Sequence, residues 1–166
     1  MIGNPPVVLS TGEWVLPFWR EKPRMAVPAR DCVTDPVTGS SGCGTDVISR
    51  SRCSGGPARP SAGVLLSTNQ GRTWHPYGQI THPLTTLIEG TVAELRNGTV
   101  IQFFRTRIGC LYKSLSVDAR TWSQPVALPV PNPNSKVHLL ALKPSGVLVL
   151  AFNNHRQDGT YRGMRF

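Results

Sequence analysis

The chain has 166 residues, of which 16 Gly and 15 Pro make up about 19% against a usual share near 12%, which excludes a helical bundle or coiled coil. A hydrophobic share of 39% is ordinary for a globular chain and excludes wholesale disorder. The net charge of +9 sits on singly scattered residues without a basic run or nucleic-acid motif, so nucleic acid is not the expected partner, and an acidic small ligand is.

Fourteen of the eighteen cations are arginine, a side chain suited to planar, two-pronged contacts with carboxylates. No apolar run reaches the ~18 residues of a membrane span. The opening MIGNPPVVLSTGEW has neither the basic nor the apolar stretch of a secretion signal.

In chain order, the first strands expected are Val7–Leu9 and Trp14–Trp19, joined by the turn Ser10-Thr11-Gly12. Residues 24–62 are rich in Gly, Ser, Pro, Arg and Thr without apolar periodicity. They read as a flexible, low-complexity insertion. Strand then follows strand: Ala62–Ser67, Thr91–Leu95, Val100–Arg105, Cys110–Ser116, Val137–Leu142 and Val147–Asn153. Turns fall at Asn97-Gly98, Ile108-Gly109 and Ser145-Gly146, and VAEL-RNG-TVIQFF has the alternation and Asn-Gly turn of a hairpin. No segment keeps a helical period, so the expected class is all-β.

A repeat sets the architecture. Ser67-Thr-Asn-Gln-Gly-Arg-Thr-Trp74 and Ser116-Val-Asp-Ala-Arg-Thr-Trp122 each follow an apolar strand, and the two tryptophans stand 48 residues apart. A period of about 40–50 residues built from antiparallel strands is that of propeller blades. Without the insertion the chain has room for about two and a half blades, an arc rather than a ring.

The two copies resemble the Asp-box, or BNR repeat, Ser-x-Asp-x-Gly-x-Thr-Trp, of sialidases. Both are degenerate: Asn69 replaces the acid in the first, and the second keeps Asp118 but lacks the Gly and one residue. The box resembles a structural turn in which the Asx side chain bonds its own backbone and the Trp packs as a plug. The likeness extends to NPPVVLSTGEWVLPFWRE, to IEGTVAELRNGTVIQFFR at 88–105, and to LPVPNPNS followed by LLALKPSGVLVLAFNN. It implies that 1–166 is a partial domain of the six-bladed sialidase-type β-propeller, with two to three blades present.

Sialidases hold the substrate carboxylate with three arginines and use a Tyr nucleophile activated by a Glu, with an Asp as acid/base. By resemblance, Glu89 stands where that Glu does, and Arg105 and Arg162 stand where two of the arginines do. Arg156 and Arg165 rival Arg162, and Glu89 can also be a solvated strand-end carboxylate. Arg20 could face the ligand from the inner rim or pair locally with Glu21. Asn132 and Asn134, beside Ser135, could offer amides to sugar hydroxyls or cap their own turns.

The family's remaining arginine and Asp lie before the matching region and its Tyr lies after it, so Tyr161 is not that nucleophile. The resemblance therefore implies exo-α-sialidase-type chemistry in a longer protein, on an anionic sugar or glycan, with the missing blades supplied by the rest of that protein. The alternative is a non-catalytic propeller that binds a glycan or a protein. No cofactor is expected. His75, His82, His138 and His155 are dispersed, and Cys32, Cys43 and Cys53 match no zinc spacing. Cys110 reads as a small core residue.

Overall fold

The computed structural model describes residues 1–21 and 60–155. The expected insertion falls outside them apart from its last three residues, where Ser61 already opens a strand. The candidate Arg162 and Cys32, Cys43 and Cys53 also lie outside the described residues.

The described residues form ten strands and no helix. Strands β1 (Val7–Val8), β2 (Trp14–Arg20), β3 (Ser61–Ser67) and β4 (His75–Ile80) make sheet 1 in that order. Strands β5 (Ile88–Glu94), β6 (Val100–Arg105), β7 (Gly109–Ser116) and β8 (Val126–Asn132) make sheet 2. Strands β9 (His138–Leu142) and β10 (Val147–Ala151) form a hairpin. All pairings are antiparallel. Two meanders and half of a third are the two and a half blades that the repeat predicts. The fourth strands, β4 and β8, escaped the sequence reading because HPYGQI and VALPVPN contain Pro and little alternation. An outer strand tolerates this, having one free edge and a largely exposed surface.

Residue parity decides the packing. Val15, Val64 and Leu66 of sheet 1 meet Val92 and Val100 of sheet 2, and Trp19, Ala62 and Ile80 meet Ile88 and Phe104. The alternate residues of sheet 2, Ala93 and Ile101, pack on Leu139, Leu148 and Leu150 of the hairpin. Sheet 2 is thus covered on both faces, which is why β5 and β6 read as nearly continuous apolar runs. Phe104 is completely buried, which contributes on the order of 2–3 kcal/mol. On the hairpin's other face Leu140, Leu142, Val147 and Val149 are exposed.

Both boxes occupy one place in their sheets, the turn from third to fourth strand. In the first, Asn69 Oδ1 accepts from Ser67 Oγ (3.0 Å) and from the Thr73 amide (2.8 Å), and its Nδ2 donates to Thr73 Oγ1 (2.8 Å). In the second, Asp118 Oδ1 accepts from Ser116 Oγ at 3.0 Å and from the amides of Arg120 and Thr121, both at 2.8 Å. These bonds, that from Thr121 foremost, hold the Asp118 carboxyl below its ordinary range. Trp122 reaches from the second box into the core between the sheets and packs over Gly78. Arg120, beside it, pairs at 2.7 Å with Glu13, which immediately precedes β2.

Because the strands alternate in direction, the boxes lie at one rim of the sheets. The start of β5, the end of β6 and the end of β8 lie at the other. That second rim carries the candidate site.

Candidate functional site

Ile88 opens β5 opposite Arg105, which closes β6, and the register slips between Ile88 and Thr91. Glu89 and Gly90 together face the single residue Phe104, a β-bulge that re-aims the side chain at the sheet's end. Glu89 has φ +48° and Asn134, in the turn after β8, has φ +57°. The Arg105 guanidinium joins them. Its Nη1 donates to Glu89 Oε2 at 2.8 Å and its Nε donates to Asn134 Oδ1 at 3.1 Å. The Arg105 and Glu89 side chains are 22% and 21% exposed, enough for a further anion to approach the fork. A planar guanidinium with donors on several sides can be held by two neighbours and still offer an edge, which an ammonium cannot.

The sequence around Glu89 explains why the bulge holds. A Cβ on Gly90 would lie 2.3 Å from Nε2 of the buried Gln102, so only glycine lets these groups approach. Thr91 Oγ1 accepts from the Leu139 amide at 3.0 Å, tying β5 to β9. Asn4 Nδ2 donates to the carbonyls of Glu89 (3.1 Å) and Gly90 (2.9 Å), while Asn4 Oδ1 lies 3.2 Å from His138 Nδ1. Asn4 was not a candidate from sequence. Its one signal is a polar residue ahead of Pro-Pro in an otherwise apolar leader, which by itself is uninformative.

Of the other expected site residues, the structure brings Asn134 to Arg105 but not Asn132 or Arg20. Asn132 is wholly buried, donating to the Ser135 carbonyl at 2.9 Å and accepting from the Thr106 amide at 3.4 Å. This corrects the expectation of a ligand-facing amide, since its polar atoms are used internally to lock the turn. Arg20 is exposed at the same rim and sits over the Phe18 ring at 5.5 Å. The parity of β2 puts Phe18 and Arg20 opposite Trp19, which faces sheet 2, so Arg20 points away from the Arg105 pair. The expected ion pair of Arg20 with Glu21 is also not formed; Glu21 accepts from Trp19 Nε1 at 3.3 Å. Among the described residues, no group of His, Cys, Asp and Glu could hold a metal ion.

The family model of the BNR repeat-like domain matches residues 1–164. The chain belongs to the BNR repeat-like family. No curated protein sequence matches it. Among solved structures, a mutant of the NanB sialidase from Streptococcus pneumoniae superposes with a TM-score of 0.57 at 17% identity over 91% of the chain. The Hadza microbial sialidase Hz136 does so with 0.57 at 21% over 90%. A protein of unknown function from Dyadobacter fermentans reaches 0.60 at 18% over 89%. The chain spans only 18%, 24% and 32% of these proteins respectively. At such identities the likeness carries the fold, which is all-β and part of a sialidase-type β-propeller. The two and a half blades of this BNR repeat-like chain are that part.

Proposed function

We propose that the chain is the segment of a sialidase-like glycosidase that contributes Glu89 and Arg105 to a site for an anionic sugar. Exo-α-sialidase-type hydrolysis would belong to the longer protein. The observation that supports this most is the Arg105–Glu89 pair, 2.8 Å apart and partly open, on the rim away from the boxes. A sugar whose anomeric carbon bears a carboxylate repels an anionic nucleophile, so a neutral phenol activated by a neighbouring carboxylate suits it. Glu89 engages Arg105 through Oε2, which leaves Oε1 to take the phenol proton. Arg105 offers the substrate carboxylate a charge-assisted contact.

The remaining blades would pack on the hairpin. Leu140, Leu142, Val147 and Val149 repeat on its outer face the apolar alternation of Ala93, Leu95, Ile101 and Phe103, which the hairpin itself covers on sheet 2. Arg162, outside the described residues, stands in this reading as a second carboxylate ligand.

The test is titration of N-acetylneuraminic acid into the chain, followed by NMR, beside its methyl ester as an uncharged control. Binding of the acid alone, lost in Arg105→Ala, is expected. Equal response to acid and ester would overturn the anion site. The 166-residue chain alone should release no fluorophore from a sialic acid conjugate, and release would overturn the need for further blades.

A further inference from the structure

We infer that Asn4 is a positioning residue that fixes the aim of the Glu89 carboxylate. The inference rests on reading Glu89 and Arg105 as the anion site. In the bulge the carbonyls of Glu89 and Gly90 leave the regular ladder and need donors from elsewhere. One nitrogen, Asn4 Nδ2, supplies both, at 3.1 and 2.9 Å. Only a carboxamide carries two donor hydrogens on one short, neutral side chain; Ser has one and Asp has none.

The clamp matters because Glu89 is in left-handed backbone at φ +48°, a strained conformation for a residue with a Cβ. Relaxation to ordinary extended backbone would rotate Cβ and lift the carboxylate off Arg105. Holding the carbonyl of Glu89 and the one after it fixes the two peptide planes that follow the strained Cα and so opposes the rotation.

The N-terminal segment delivers Asn4 to this place. Met1 and Trp19 exchange backbone hydrogen bonds at 2.8 and 3.0 Å, which continues the edge of β2 beyond β1. Between them and Asn4, a Cβ on Gly3 would stand 3.1 Å from the Trp19 ring and 3.5 Å from Glu89 Cγ. The segment therefore lies directly against the stem of Glu89. Since carbonyls only accept, Asn4 Nδ2 is fixed as the donor and Oδ1 faces His138 Nδ1. That ring nitrogen then donates to Oδ1, and the link to His138 braces Asn4 through the other atom of its amide.

The experiment measures hydrogen exchange at Arg105 Nη1, which donates to Glu89, by low-temperature NMR in the full chain, with Nε, which donates to Asn134, as the internal reference. Variants are Asn4→Ala, Asn4→Ser and, as a destabilised control far from the bulge, Val15→Ala, each studied where it is fully folded. Losing the carboxylate partner should speed Arg105 Nη1–H exchange about tenfold in Asn4→Ala, the factor for one charge-assisted hydrogen bond, while Nε–H, held by Asn134, changes little. Asn4→Ser, with one donor left, should fall between, and it decides the question if Asn4→Ala does not fold. Val15→Ala should exchange as the parent does. Unchanged exchange in the Asn4 variants, or the same acceleration in Val15→Ala, would overturn the inference. The readout uses no ligand, so failure of the parent chain to bind N-acetylneuraminic acid would sink the proposed function and leave this result standing.

Discussion

Glu89 and Asn134 both adopt left-handed backbone, at φ +48° and +57°, and both place a side-chain oxygen on Arg105, at 2.8 and 3.1 Å. Asparagine takes this conformation readily, whereas glutamate is strained in it by about 1–2 kcal/mol. Strain of this kind persists where the surroundings over-determine it, here through the bulge, Gly90 and Asn4.

The strain predicts an inverted order of substitution. In most strands Gly is worse than Ala, but at position 89 Glu89→Gly should be more stable than Glu89→Ala by about 1 kcal/mol. Paired denaturant melts with equal slopes would show it. An Ala variant as stable as the Gly variant would mean that the left-handed conformation is not held in solution.

Arg105→Ala should weaken N-acetylneuraminic acid binding roughly 10- to 100-fold, the range for losing a hydrogen bond to a charged group. Folding should change by about 1 kcal/mol or less, because the pair is partly exposed. Arg105→Lys should restore little of the affinity, since one ammonium cannot engage Glu89 and Asn134 and present a flat edge as well. An NMR titration of the three chains decides the point.

The repeat made the blades legible in the sequence, because two Thr-Trp turns at one period mark the end of the third strand of each sheet, although the fourth strands that follow them were missed. Glu89 and Arg105 were legible as candidates through family resemblance, and their hydrogen bond follows from the hairpin that pairs Ile88 with Arg105. The one-residue slip that sets the left-handed turn at Glu89 was not legible, since a bulge depends on pairing across strands and leaves no period in a single strand. Asn132 and Asn134 look alike in PNPNS. Only the close of β8 makes the first an internal lock and the second a partner of Arg105.

Asp118 predicts an acid limb in stability. Its carboxyl is held below its ordinary range by amide hydrogen bonds, that from Thr121 foremost, so the folded form binds its proton less readily than the unfolded form. The contribution is therefore complete above about pH 5 and is lost as pH falls through the lowered folded value. Asp118→Asn, which keeps an accepting Oδ1 but has no charge, should melt below the parent near neutrality, and the gap should close as the pH falls below 4. The turn at Asn69 uses a neutral amide and should add nothing to this limb. Thermal melts from pH 7 to 3 on both chains test this.

Gly63 predicts a severe packing defect. A Cβ there would lie 2.5 Å from the Tyr77 carbonyl and 2.6 Å from that of Gly78. These are backbone atoms of the paired strand β4, which cannot swing aside. Gly63→Ala should cost about 3 kcal/mol, the upper range for overpacking. Gly98→Ala, with open space but φ +81°, should cost about 1 kcal/mol. Equal denaturation midpoints for these two variants would contradict the close approach of β3 and β4.

The boxes and the Glu89–Arg105 pair stand at opposite rims of the same sheets, and this separates two histories. A box can lose its acid, as at Asn69, or a residue of its length, as before Trp122, while the far rim keeps every atom in place. Conversely, a substitution at Arg105 would alter the proposed site and leave the repeat intact. The state of the boxes therefore reports on the turns that hold the sheets and carries no information about the side chains at the far rim.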